Sequence, residues 1–110
     1  MPRHNLGELE QLLLLALLRR GGESYGAELR EEIRSTTGRS VTPGAIYPTL
    51  DRLESRGLLR SWMGDPTPQR GGRSRRHFKI TKHGLQEVRR SWHQAAALAA
   101  GVAQLHVKGI

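Results

Sequence analysis

Val41-Thr-Pro-Gly-Ala-Ile-Tyr-Pro-Thr-Leu-Asp-Arg-Leu-Glu-Ser-Arg-Gly-Leu-Leu59 is the stretch whose reading decides the fold. Thr42 followed by Pro43 reads as a helix start, a hydroxyl cap with proline at the first helical position. Ile46, Leu50 and Leu53 recur at helical spacing and make one apolar face. Gly57 ends the helix. Pro48 lies inside it, removes the backbone bond to Gly44, and should kink or loosen the first turn. Thr42, Gly44, Ala45 and Tyr47 fall in the first turns, off the apolar face. Thr49 and Arg52 follow them.

Upstream, Ser24 is a candidate cap for a helix running to about Ser35, with Tyr25, Leu29 and Ile33 as its apolar stripe. Gly38 is its stop. Before it, Asn5 with Glu8 three residues on resembles a capping box. Leu6, Leu9, Leu12, Leu13, Leu15, Leu17 and Leu18 follow, covering so much of this first helix that it must be buried on more than one side. Arg19-Arg20-Gly21-Gly22 closes it.

Downstream, Leu58 to Trp62 reads as a short strand. Residues 63–74 read as a loop holding Gly64, Pro66, Pro68, Gly71 and Gly72. Arg75 to Ile80 alternates Arg76, Phe78 and Ile80 against Arg75, His77 and Lys79, a two-faced strand that should pair with the first as a hairpin. Trp62 is expected to pack in the core or on the wing against Phe78, with base stacking as its alternative. Thr81 can cap a last helix reaching Leu105, roughly 37 Å at about 1.5 Å per residue. Its apolar positions Leu85, Val88, Trp92, Ala95, Ala99 and Val102 alternate spacings of three and four, a heptad seam. That is more seam than three short helices and a hairpin can cover. The seam is read as a dimerisation surface for the same helix of a second copy, against the alternative of packing within its own chain. Gly101 weakens the helix near its end.

The chain has 110 residues, room for one core, and a net charge of +8 with a pI near 11.3. Residues 56–90 hold ten bases against two acids, so essentially the whole excess lies in one stretch. Such a surface points to a polyanion, either nucleic acid or an anionic membrane. There is no Cys, which excludes disulfide scaffolds, thiolate metal sites and cysteine nucleophiles. The longest apolar run, Leu12 to Leu18, is far short of the roughly 20 residues of a membrane span, and the flanking charges do not suit a signal peptide. The expected setting is soluble and cytoplasmic. His4, His77, His83, His93 and His106 lack a metal-ligand spacing, and Ser91 with His93 lacks an organising acid. No enzyme, metal or cofactor is expected.

The order is helix, helix, helix, strand, basic loop, strand, helix. That is a mainly α fold with a small β-hairpin, a winged helix-turn-helix followed by a long C-terminal helix. Residues 1–80 are expected to form the DNA-binding domain and 81–110 the dimerisation helix. The third helix would enter a major groove, with Thr42, Gly44, Ala45 and Tyr47 in the turns near base edges, Tyr47 donating to a phosphate or stacking on a sugar against the alternative of core packing beside Ile46, Thr49 a weaker candidate and Arg52 on phosphate. Ser24 and Tyr25 open a helix whose amides could receive a phosphate, against a plain cap and a core ring as their alternatives. Arg70, Gly71, Arg73, Arg75 and Arg76 belong to the wing, with alternation turning Arg76 toward Phe78. The alternative reading is a winged-helix protein acting on RNA, through Arg70-Gly71-Gly72, or non-specifically on DNA.

These residues resemble the PadR-type transcriptional regulators. Val41 to Leu59 is similar to their recognition-helix signature, with Tyr47-Pro48 the most specific part. Ser24-Tyr25-Gly26 and Phe78-Lys-Ile-Thr-Lys-His-Gly84 match as well, and Gly64-Asp-Pro-Thr-Pro-Gln-Arg-Gly-Gly-Arg73 resembles the wing of one branch. The resemblance spans roughly residues 5–90. It implies a dimeric repressor of an inverted-repeat operator, released by a small hydrophobic or aromatic effector. It also implies the shorter branch, with a single C-terminal helix. In some members of that branch a tryptophan on this helix lines a pocket at the dimer centre. Trp92 is the corresponding candidate, about one turn earlier than the family pattern, with dimer-core packing as its other reading.

Overall fold

The computed structural model describes residues 5–64 and 75–105. Its elements run α1 (Glu8–Arg19), β1 (Glu23–Tyr25), α2 (Gly26–Thr37), α3 (Pro43–Ser55), β2 (Leu59–Met63), β3 (Arg76–Ile80) and α4 (Lys82–Ala99), with a final 3-10 turn at Ala103–Leu105. The architecture is mainly α with a small antiparallel sheet, as the sequence indicates, with one strand added. β1 pairs with β3, so the sheet has three strands in the order β1-β3-β2 rather than two.

Local chemistry sets most helix ends. Thr42 Oγ1 accepts from the Ala45 amide at 3.2 Å, and Pro43 opens α3. Thr81 Oγ1 accepts from the Gly84 amide at 3.0 Å and opens α4. Gly38 ends α2 in the left-handed region, φ 78°, which glycine enters without a Cβ penalty. Two starts differ from expectation. α1 begins after Gly7, not Asn5, because the Glu10 carboxylate takes the Gly7 amide at 2.7 Å. α2 is capped at Tyr25, not Ser24, because Glu23–Tyr25 is already committed to the sheet.

Leu13, Leu14 and Leu17 of α1, Leu29 and Ile33 of α2, Ile46, Leu50 and Leu53 of α3, Phe78 of β3 and Val88 of α4 form one buried cluster. α1 runs through its middle, which explains why its leucines have no polar face. Arg30 Nε donates to the Val41 carbonyl at 2.8 Å and holds the turn between α2 and α3.

α4 is clasped to the turn that follows α3. The Thr81 hydroxyl donates to the Gly57 carbonyl at 2.7 Å, and the Thr81 amide to the Leu58 carbonyl at 3.1 Å. One turn on, Gly84 lies so close to Leu58 that an added Cβ would stand 2.0 Å from its carbonyl oxygen. The helix is shorter than its apolar pattern suggested. It ends at Ala99, with Ala100 extended and Gly101 left-handed at φ 78°. Its 18 residues span about 27 Å.

The heptad seam therefore divides. Val88 is buried in its own chain's core and Leu85 packs against it, so these two belong to the fold of one chain. The Ser91 hydroxyl donates to Gln11 Oε1 of α1 at 3.0 Å. Beyond that point Trp92, Ala95, Leu98, Val102 and Leu105 are exposed and Ala99 is half-buried. Leu98 is 83% exposed, an apolar side chain that the described residues leave open.

Candidate nucleic-acid interface

The N-terminal ends of α2 and α3 meet the start of β3 around an open cleft of about 380 Å³. Tyr25, Gly26, Glu28, Tyr47, Arg75 and Arg76 are among its walls. α3 presents Thr42, Gly44, Ala45 and Tyr47 on its outer side, all exposed, while Ile46, Leu50 and Leu53 face the core. Tyr47 crosses to α2: a Cβ on Gly26 would be 2.6 Å from its hydroxyl oxygen. Its ring lies 6.5 Å from Phe78, so the inner edge is anchored while the residue stays 36% exposed.

Two expected contact residues are withdrawn into the structure. Thr49 is buried; its hydroxyl donates to the Ala45 carbonyl at 2.8 Å and accepts from Arg52 Nη2 at 2.9 Å. It sits on the same stripe as Ile46 and Leu53, which removes it from the exposed side of α3. Ser24 is buried opposite Phe78, and its hydroxyl donates to Glu28 Oε1 at 3.0 Å. Burial pushes the Glu28 carboxyl up, but Ser24, the Tyr25 amide and Arg20 outweigh it and hold the group below its ordinary range. Arg52 remains exposed on α3.

The sheet's outer face carries a row of rings in direct register, Tyr25, His77 and Trp62, one from each strand. The Tyr25 and His77 centroids are 4.1 Å apart, and Trp62 stacks on His77 at 5.3 Å with 3° between planes. Trp62 thus lies on the opposite side of the sheet from Phe78, which corrects its expected packing. The alternation that moves it is the pleat itself, since Phe78 pairs with Ser61. Arg75 extends the row, its guanidinium 5.1 Å from the Tyr25 ring centroid. Arg76 points to the inner side, as alternation required, and its charge is taken by Asp51 and Glu54. Sequence reading missed this pairing. Arg70, Gly71 and Arg73 lie outside the described residues.

Ser61, foremost, and then Arg76 hold the Glu54 carboxyl below the ordinary glutamate range, against the opposing effect of burial. A depressed folded-state value stabilises above the unfolded value, about 4.3, and that stabilisation is lost as pH falls through the folded one. Melting temperature should therefore decline below about pH 4, and Glu54→Gln should flatten part of that decline in a calorimetric series. An unchanged slope in the variant would show that Glu54 does not supply it.

Among the described residues no group of acids and histidines is arranged to hold a metal, and no helix is long and apolar enough to cross a membrane. Comparison with known proteins gives a consistent answer. The model of the transcriptional regulator PadR-like family matches residues 14–90. The transcriptional regulator Rv3488 of Mycobacterium tuberculosis is 41% identical over 92 residues, covering 79% of this chain and 78% of that protein. A PadR family transcriptional regulator from Eggerthella lenta superposes with a TM-score of 0.69 at 30% identity, covering 89% of this chain and 85% of the other. F93 from STIV, a winged-helix DNA-binding protein, superposes at 0.72 with 18% identity, over 89% of this chain and 98% of its own, a likeness of fold.

Proposed function

Because this chain belongs to the PadR-like family of transcriptional regulators, and is on that ground a regulator and not an enzyme, we propose that it acts as a dimeric repressor on an inverted-repeat operator. The observation that carries the proposal is the open junction where exposed Thr42, Gly44, Ala45 and Tyr47 of α3 stand beside Tyr25 and Arg75. In this reading α3 enters the major groove of double-stranded DNA. Arg75, with Arg70, Gly71 and Arg73, follows the backbone. Residues 1–80 read DNA in the cytoplasm, and residues 81–110 join two copies. Trp92, Ala95, Leu98, Ala99 and Val102 supply the joining surface, supported by the exposure of Leu98 and Trp92 at the end of a helix otherwise seated on its own chain. A small aromatic or hydrophobic effector binding near Trp92 at the dimer centre would release the operator.

The test is a fluorescence-anisotropy titration at physiological salt with three probes. These are a duplex from immediately upstream of the chain's own coding sequence, a scrambled duplex and a matched RNA hairpin. The expected result is tight binding to the upstream duplex alone, with two chains per duplex by sedimentation and a steep salt dependence. Equal binding to all three would favour a winged-helix protein that reads only charge, on RNA or DNA alike.

A further inference from the structure

Arg76 closes a ring of polar contacts that joins α3 to both wing strands. Its Nη2 lies 2.8 Å from Asp51 Oδ1 and 2.9 Å from Glu54 Oε1, two carboxylates one turn apart on α3. Its Nε donates to Ser61 Oγ on β2 at 3.1 Å. Ser61 completes the circuit: its hydroxyl donates to Glu54 Oε1 at 2.7 Å and its amide to Glu54 Oε2 at 2.8 Å. Glu54 thereby also satisfies an amide that β3 leaves open on the edge strand β2. The Arg76 guanidinium rests 5.0 Å from the Phe78 ring centroid, so the ring is seated on the core.

The charges make this arrangement informative. Asp51 and Glu54 put two negative charges on the helix that would read DNA, and among the described residues Arg76 faces them and is committed to both. Their Coulomb effect on a polyanion is unfavourable. A favourable effect on DNA binding must therefore come from geometry. The geometry here is specific, because a planar guanidinium with several donors fixes two carboxylates and a hydroxyl at once, which a point charge cannot do.

We propose that Asp51, Glu54, Ser61 and Arg76 form a positioning group that fixes the wing strands against the recognition helix, so that both meet one operator together. Arg76 acts through these partners and not on phosphate. The proposal rests on the DNA-binding reading above. On this reading Arg76 does not itself touch DNA, in place of the contact expected from the sequence.

Two variants give different outcomes under the competing accounts. Glu54→Gln removes a negative charge, so charge alone predicts unchanged or tighter binding to any duplex. Arg76→Lys keeps the charge, so a phosphate contact predicts nearly unaltered binding. The positioning role predicts that each weakens the upstream duplex about tenfold, about 1.4 kcal/mol, while the scrambled duplex changes less than about twofold. In Glu54→Gln/Arg76→Lys the losses should not add, because both break one ring. A DNA-free readout accompanies these: amide exchange at Ser61 should accelerate in Glu54→Gln. Asp51→Asn, at a more exposed position, gives the same comparison should Glu54→Gln fail to fold. Wild-type affinity in all of these variants would overturn the proposal. So would equal weakening of both duplexes in Arg76→Lys with no effect of Glu54→Gln. A wild-type chain that bound neither duplex would instead overturn the operator reading, and the positioning role with it.

Discussion

Gly84→Ala is expected to cost about 3 kcal/mol of stability, at the upper end of what overpacking a filled site costs. The added methyl would stand 2.0 Å from the Leu58 carbonyl oxygen and 2.9 Å from Ile80 Cγ1. The first of these is backbone, and it cannot turn aside as a side chain would. Either α4 lifts from the turn after α3, or that turn moves and disturbs the clasp that Thr81 makes with Gly57 and Leu58. For a domain of this size the melting temperature should fall by about 15 °C. Gly44→Ala is the control, because its nearest neighbour, Thr42 Oγ1, is 3.9 Å away. It should melt within about 3 °C of the parent. If Gly84→Ala melted there too, α4 would not be seated as closely as described.

Tyr47→Ala is the second large expected effect, this time on binding. The side chain is anchored at its inner edge by Phe78 and lies over Gly26, yet about a third of it is open to solvent. Its removal should leave the core intact, with a melting temperature close to the parent's. Affinity for the upstream duplex should fall about 10- to 100-fold, the value of a lost hydrogen bond to a charged group plus its packing. Tyr47→Phe isolates the hydroxyl. Gly26→Ala offers a complementary route, since its methyl would displace the tyrosine tip without deleting it. An operator bound as tightly by Tyr47→Ala as by the parent would remove α3 from the role of reading helix.

How far the sequence could be read depended on whether a feature was local. Thr42-Pro43 and Thr81 announce their helices because a cap is satisfied within three residues. Ile46, Leu50 and Leu53 show their face by spacing alone. The burial of Thr49 was legible in the same spacing, and only its polar character obscured it. β1 was not legible. Three residues cannot display an alternation, and their partner β3 lies more than fifty positions away. The heptad seam misled for another reason. Leu85 and Val88 repeat at the same interval whether they face their own core or another copy, so periodicity fixes a face and not its occupant. Alternation did turn Arg76 inward. That it would find Asp51 and Glu54 there depends on how a helix and a strand dock, which no single segment encodes. Gly84 stood out only as the end of a motif, and its approach to Leu58 gave no signal, because a glycine needed for close approach looks like any other in a helix.

The clasp between Thr81, Gly57 and Leu58 has a mechanical consequence. It ties the start of α4 to the turn that follows α3, so a tilt of α4 would pull on that end of α3. In a dimer joined through the outer half of α4, the angle at which the two copies cross would set the distance between their recognition helices. α3 spans 13 residues, about 20 Å, so tilting it by about 5° would carry its far end through about 2 Å. A ligand wedged between the copies would then need no path through the core to misalign the half-sites, because the protein would work as a pair of callipers.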